Sequence, residues 1–197
     1  MAAGPETVGP GSNRARIVAA AYNAVARTGL AGLRVRSVAG EAGVTHATLL
    51  YYFKSRSALL NAVVDHAVYD RIAVPLVEDA EPMPAADELS ALLHGLSREA
   101  EEDPRQPAVL LEILQRGQEH GSEAAMDRYF RTWQQYTTDL LRRGTLEGGF
   151  RSDLDPEVTA RIIVQFSLGL QTRSPITAEQ RGEAIEQLLA FLAPMRP

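Results

Sequence analysis

The chain of 197 residues contains no cysteine, which excludes disulfides and thiolate chemistry. It has no run of about 18 apolar residues able to span a bilayer, and no charged, apolar and small-residue leader pattern. A cytoplasmic protein with no membrane partner is therefore expected. There is no internal repeat. The chain also lacks a glycine-rich phosphate loop, a zinc-protease helix motif and a serine elbow, so an enzyme is not expected. Histidine is scarce, with four in all. His66 and Asp70 share a helical face but read as solvated surface, and His94 and His120 stand alone, so neither a metal nor a cofactor is expected.

What is present is helical punctuation. Breaks fall at Gly29, Pro75, Pro82, Pro84, Pro104, Gly121, Gly148, Gly149 and Pro175, where backbone geometry ends helices. No strand alternation competes, and an all-α fold follows. Residues 1 to 12, rich in Gly and Pro and without an apolar pattern, read as a disordered arm. A first helix from Arg14 to Thr28 carries Ile17, Ala20, Ala21, Ala24 and Val25 at helical spacing.

The stretch Val35 to Leu60 reads VRSVAGEAGVTHATLLYYFKSRSALL. Small residues at Ala39, Ala42 and Gly43 suit two helices that cross closely, and Gly43 suits a left-handed helix end. Thr45 is placed to cap the next helix, from about His46 to Phe53. A helix-turn-helix of this kind lays its second helix in the major groove, with cations on phosphates. His46, Ala47, Thr48 and Tyr51 are the candidate groove contacts. Lys54 and Arg56 follow that helix, and Arg36 stands on the opposite flank. Val38, Ala39, Leu49, Tyr52 and Phe53 read as core, while Arg16 and Arg27 read as solvated.

Charge is unevenly spread. Residues 1 to 60 carry a net +5 and the remainder −10, within a total of −5. One end attracts polyanions and the rest repels them, which orients a protein on DNA.

Val35, Arg36, Val38 and Ala39, then Ala42 to Thr45 with Thr48, Leu49, Tyr51, Tyr52 and Phe53, then Arg56, Ala58, Leu59 and Leu60 resemble the N-terminal domain of the TetR family of bacterial transcriptional regulators. The resemblance covers about residues 14 to 65. It implies groove contact by Arg36, Thr45, His46, Thr48 and Tyr51 and phosphate binding by Arg56. Leu50 departs from the family, which usually has a backbone-contacting tyrosine there. Ala47 replaces a common glycine, and Arg34 stands where a capping threonine is frequent.

The length allows a DNA-binding unit of roughly 60 residues and one further domain of ordinary size. The expected division is a three-helix domain over 13–60 and a helical ligand-binding and dimerisation domain over 61–197. Helices are expected at Ser57 to Ile72, Asp87 to Glu102, Pro107 to Glu119, Ser122 to Arg143, Pro156 to Gln171 and Thr177 to Leu192. The helix from Pro156 is apolar around most of its circumference and needs cover on two sides, which a twin helix supplies. A homodimer is expected, with Ile163, Val164, Leu168, Leu188 and Phe191 at its interface. The resemblance implies that the last two helices pair with their copies as a four-helix bundle.

The helix around Met126, Tyr129, Phe130, Trp133, Tyr136 and Thr137 concentrates aromatics with polar tips on about half of its surface. With Glu112, Gln115, Gln134 and Gln165 as polar neighbours, a small-molecule effector pocket at Glu112, Gln115, Tyr129, Trp133 and Gln165 is expected. The sequence reading is a repressor released from a palindromic, double-stranded operator by a small molecule. The alternative keeps the helix-turn-helix but gives the second domain only dimerisation or protein interaction.

Overall fold

A computed structural model describes residues 12–67, 83–103, 105–117, 119, 121, 123–171 and 176–194. Among these residues there are helices and no strands: α1 (Asn13–Gly32), α2 (Val35–Glu41), α3 (His46–Tyr52), α4 (Arg56–Asp65), α5 (Ala85–Glu102), α6 (Arg105–Arg116), α7 (Glu123–Leu146), α8 (Pro156–Gln171) and α9 (Ala178–Leu192). The fold is all-α.

The expected helices recur with shifted ends. The first runs past Thr28 to Gly32, with Gly29 leaving helical geometry inside it at φ 68°, ψ 175°. Gly29 thus breaks the helix where it was expected to end, and a short helical stretch to Gly32 follows. The helix expected from Ser122 to Arg143 continues to Leu146, because Gly148, at φ 75°, supplies the left-handed stop. Residues 1–11 of the expected arm over 1–12, and the extension from Val68 to Ile72, lie outside the described residues, while Ser12 caps α1.

Contacts divide the chain into two compact units, one of residues 1–71 with 109–126, the other of 72–108 with 127–197. Segment 109–126 clusters with the N-terminal helices, not with its neighbours in sequence. In the first unit, α1 packs on α2, α3 and α4, and α2 packs on α3. The expected stripe of α1, from Ile17 through Ala20, Ala21, Ala24 to Val25, is buried, as are Val38, Ala39, Leu49 and Phe53, while Tyr52 is half-buried. Removing a fully buried leucine such as Leu49 leaves a cavity worth about 2–5 kcal/mol.

In the second unit, α5 packs against α8 and α9. It presents Leu89, Leu92, Leu93 and Leu96 inward at i, i+3, i+4 and i+7. Its N-terminus has no side-chain cap of its own, and the Ala85 amide donates instead to Glu147 Oε2 at 2.7 Å. At α9, Thr177 and Gln180 form a reciprocal capping box.

Candidate nucleic-acid interface

The geometry of the reading helix is set by the turn before it. The Gly43 amide donates to the Gly40 carbonyl and the Val44 amide to that of Ala39, closing α2 around Gly43, whose φ is 65°. These are the bonds of a Schellman end, which leaves a side chain little tolerance at the left-handed position. Arg16, expected in solvent, reaches across from α1. Its Nη2 donates to the carbonyl of Ala42 at 2.5 Å and to that of Gly43 at 3.3 Å. A guanidinium at the end of α2 meets both the orphan carbonyls and the negative end of the helix dipole. A Cβ on Gly43 would come within 2.6 Å of that Nη2. Arg27, also expected to be solvated, is tied to Glu41 by two bonds, at 3.1 and 2.6 Å. The hydrogen bond and the charge of Glu41 raise its pKa.

After the turn, Thr45 Oγ1 accepts from the Thr48 amide at 3.0 Å and lies 2.8 Å from Thr48 Oγ1. The cap fixes where α3 starts and therefore which residues follow on its outer face. Leu49 points inward and is buried, while His46, Ala47, Leu50 and Tyr51 are exposed and Thr48 is half-buried. Tyr51 is 69% exposed, the extreme of its unit among the large apolar groups. Its ring carries the Lys54 ammonium 5.2 Å from its centroid, an arrangement that holds a cation beside the helix end. Arg36 is exposed on α2. Ser55 caps α4 through the Ala58 amide at 3.0 Å.

Arg56 is placed differently. It is half-buried, and its Nη2 donates to the Leu30 carbonyl at the end of α1. The structure thus gathers Thr45, His46, Ala47, Thr48, Tyr51 and Lys54 on α3 and its end, with Arg36 on α2, while Arg56 is engaged with α1.

The remaining site residues separate. Glu112 is half-buried and accepts from the Leu30 amide at 2.9 Å, and Gln115 is exposed. Tyr129 and Trp133 are buried in the second unit with ring centroids 6.2 Å apart, whereas Gln165 is exposed. A cavity of about 190 Å³ between α5 and α7 is lined by Glu88, Tyr136, Asp139, Leu140 and Arg143. On α8, Ile163 and Val164 lie in the core of their own unit, and the exposed apolar groups are Ile162 and Val158. Leu168 and Leu188 are half-buried, and Phe191 is 64% exposed. Among the described residues no group of three or more His, Cys, Asp or Glu is arranged to hold a metal, and no helix is long and apolar enough to cross a membrane.

Residues 17–63 match the family described as bacterial regulatory proteins, tetR family. No curated protein sequence matches the chain. Among solved structures, one assigned to the TetR-family transcriptional regulators of Rhodococcus sp. is 26% identical, with a TM-score of 0.80, covering 92% of this chain and 98% of that one. A TetR transcription regulator from Haloarcula marismortui is 23% identical over 92% of this chain and 98% of its own, at a TM-score of 0.77. The transcriptional regulator FadR from Bacillus subtilis, in complex with stearoyl-CoA, is 19% identical over 90% and 98% at 0.72. These last two show the shared fold. The capped reading helix and the match over 17–63 identify that segment as a helix-turn-helix DNA-binding domain of the tetR family, and the chain as a whole shares the fold of TetR-family transcriptional regulators.

Proposed function

We propose that the chain is a homodimeric repressor that binds a two-fold related operator and is released by a small molecule. The observation that carries this reading is the outer face of α3, where His46, Ala47 and Tyr51 are exposed from a helix whose start is locked by the Thr45 cap. Thr45, His46, Ala47, Thr48 and Tyr51 meet the groove, and Arg36, Lys54 and Arg56 hold phosphates. The resulting head is the N-terminal domain over 13–60, acting in the cytoplasm on double-stranded DNA.

Dimerisation supplies the second head that a palindrome requires. The apolar groups left uncovered within the chain support it: Ile162 and Val158 on α8 and Phe191 on α9, joined by the half-exposed Leu168 and Leu188. Ile163 and Val164 contribute from beneath that face, by shaping it. An effector that binds better to a dimer whose heads are wrongly spaced for adjacent grooves would shift the population off the operator.

Selection of bound sequences from a random DNA pool, followed by titration of the winning duplex at several salt concentrations, tests the reading. A two-fold related motif with steep salt dependence is expected. No enrichment over non-specific binding would defeat it. A second reading, in which the C-terminal helices serve only dimerisation, is favoured by the deep burial of Tyr129 and Trp133, at 2% and 6% exposure. It requires that no small molecule displace the selected duplex.

A further inference from the structure

The second unit buries polar atoms for which the described residues supply no partner. Trp133 Nε1 and Thr137 Oγ1 have no hydrogen bond, although the two residues are only 6% and 0% exposed. They stand four apart on α7, so they share its inner face one turn from each other, about 5–6 Å apart at Cβ. In the same unit Gln106, at 1% exposure, has both ends of its amide unmet, and Gln171 has its Oε1 unmet. Buried polar groups are nearly always satisfied, and a group left unmet is costly. A bound molecule carrying a hydrogen-bond acceptor would meet the Trp133 N–H and the Thr137 hydroxyl, which the described residues leave unmet.

The chemistry of that partner is constrained. An indole N–H only donates, and a threonine hydroxyl donates one bond and accepts others. The Trp133 ring is set edge-on to Tyr129 and Tyr136, at 6.2 and 6.1 Å, so an apolar body would be received by aromatic surface. No ionic partner awaits a charged ligand. Asp103 is the one side chain charged at neutral pH among the buried groups of the described residues, and it is held by Arg105 at 2.8 Å. An ion brought to Trp133 would lose its water without a counter-charge. The cleft at Glu88 differs, because its carboxylate already takes Tyr136 and Arg143.

We propose that Trp133 and Thr137 are the polar contacts of the effector site, and that the effector is an uncharged molecule carrying a hydrogen-bond acceptor, such as a carbonyl, on an apolar body. This rests on the effector-released regulator argued above. Thr137 then places its hydroxyl for binding and not for folding.

The test uses the full chain without DNA, so that failure of the site and failure of operator release are separable. Thermal unfolding is followed with matched pairs that differ in charge: benzamide and benzoate, phenylacetamide and phenylacetate, cinnamamide and cinnamate. Emission of Trp133, the single tryptophan, reports on the site directly. At least one amide should raise Tm and shift that emission in a saturable way, with its carboxylate about tenfold weaker or worse. Thr137→Val should leave the Tm of the protein alone unchanged or raise it by about 2 °C, because it removes an unmet hydroxyl. The same variant should lose most of the amide response, as should Trp133→Phe. No response to any amide at millimolar concentration overturns the assignment, and so does an equal response to the carboxylates. A fall in Tm on Thr137→Val alone also overturns it, by showing that the hydroxyl is satisfied in solution by buried water.

Discussion

The Leu30 amide donates to Glu112 Oε1 at 2.9 Å, joining residues 82 positions apart. It does so immediately after Gly29, whose φ of 68° breaks α1 and turns the Leu30 amide out of the helix ladder. The Leu30 carbonyl in turn accepts from Arg56 on α4. One peptide segment at the end of α1 is therefore clasped on both of its polar groups, by α6 and by α4. A Cβ on Gly29 would lie 2.7 Å from Glu112 Oε1.

Removing the acceptor leaves a half-buried amide unmet. Glu112→Ala should destabilise the protein by about 1–3 kcal/mol in urea unfolding. Gly29→Ala should cost about 1–3 kcal/mol, from the left-handed backbone and the close approach to the carboxylate. In the Glu112→Ala background the close approach disappears, so the second substitution should cost less than it does alone. Strictly additive costs would show that Glu112 does not press on position 29.

The readable parts of this fold were those encoded locally. Gly43 and Thr45 announce a helix end and a helix start within three positions, and the structure forms both with the expected bonds. Pro156 and Thr177 open α8 and α9 at the expected places. Arg16 and Glu112 were unreadable because their partners lie 26 and 82 positions away, and no spacing rule links a side chain to a distant backbone group. Glu112 looked like a pocket residue for the same reason: a lone carboxylate on an amphipathic helix carries no mark of what it faces. On α8 the apolar content was plain, but which half would be covered by α5 was not. Ile163 and Val164 went inward and Ile162 stayed out, a choice made by the phase of packing.

Base reading and phosphate holding should separate on mutation. His46→Ala should change preference at one operator position, costing about 1–3 kcal/mol there and little on operators that vary elsewhere. Lys54→Ala should weaken all duplexes alike and lower the salt slope by about one. Arg56→Ala should do the same and should also lower stability, because Arg56 holds the Leu30 carbonyl. Equal loss on every operator variant would remove His46 as a reader, and an unchanged melting curve for Arg56→Ala would remove the clasp.

Dimerisation can be tested by contrasting neighbours on one helix. Ile162 is 58% exposed and Ile163 is 1% exposed. Ile162→Asp and Phe191→Asp should leave a folded chain that sediments as monomer, since each places a charge on the proposed joint face. Ile163→Ala should cost about 2–5 kcal/mol of stability through a core cavity. A wild-type chain that sediments only as monomer at micromolar concentration would remove the dimer itself.

Alkaline stability should report on Tyr136. Its hydroxyl donates to Glu88 Oε1 at 2.5 Å, and Arg143 holds the other carboxylate oxygen. Burial first, and then the hydrogen bond and charge of Glu88, push the phenol well above its ordinary value of 10.0. The folded state therefore keeps this proton after the unfolded chain has released it. Its stabilising contribution is fully present below pH 10.0, the ordinary value that the unfolded chain keeps, and is lost as pH rises from there towards the raised folded value. Unfolding free energy measured from neutral to strongly alkaline pH should decline less steeply above that point in Tyr136→Phe than in the wild type. The substitution should lower stability at neutral pH, because it leaves Glu88 with Arg143 alone. Parallel curves for the two proteins across the alkaline range would show that the phenol titrates alike in the folded and unfolded chains, and that its bond to Glu88 is absent in solution.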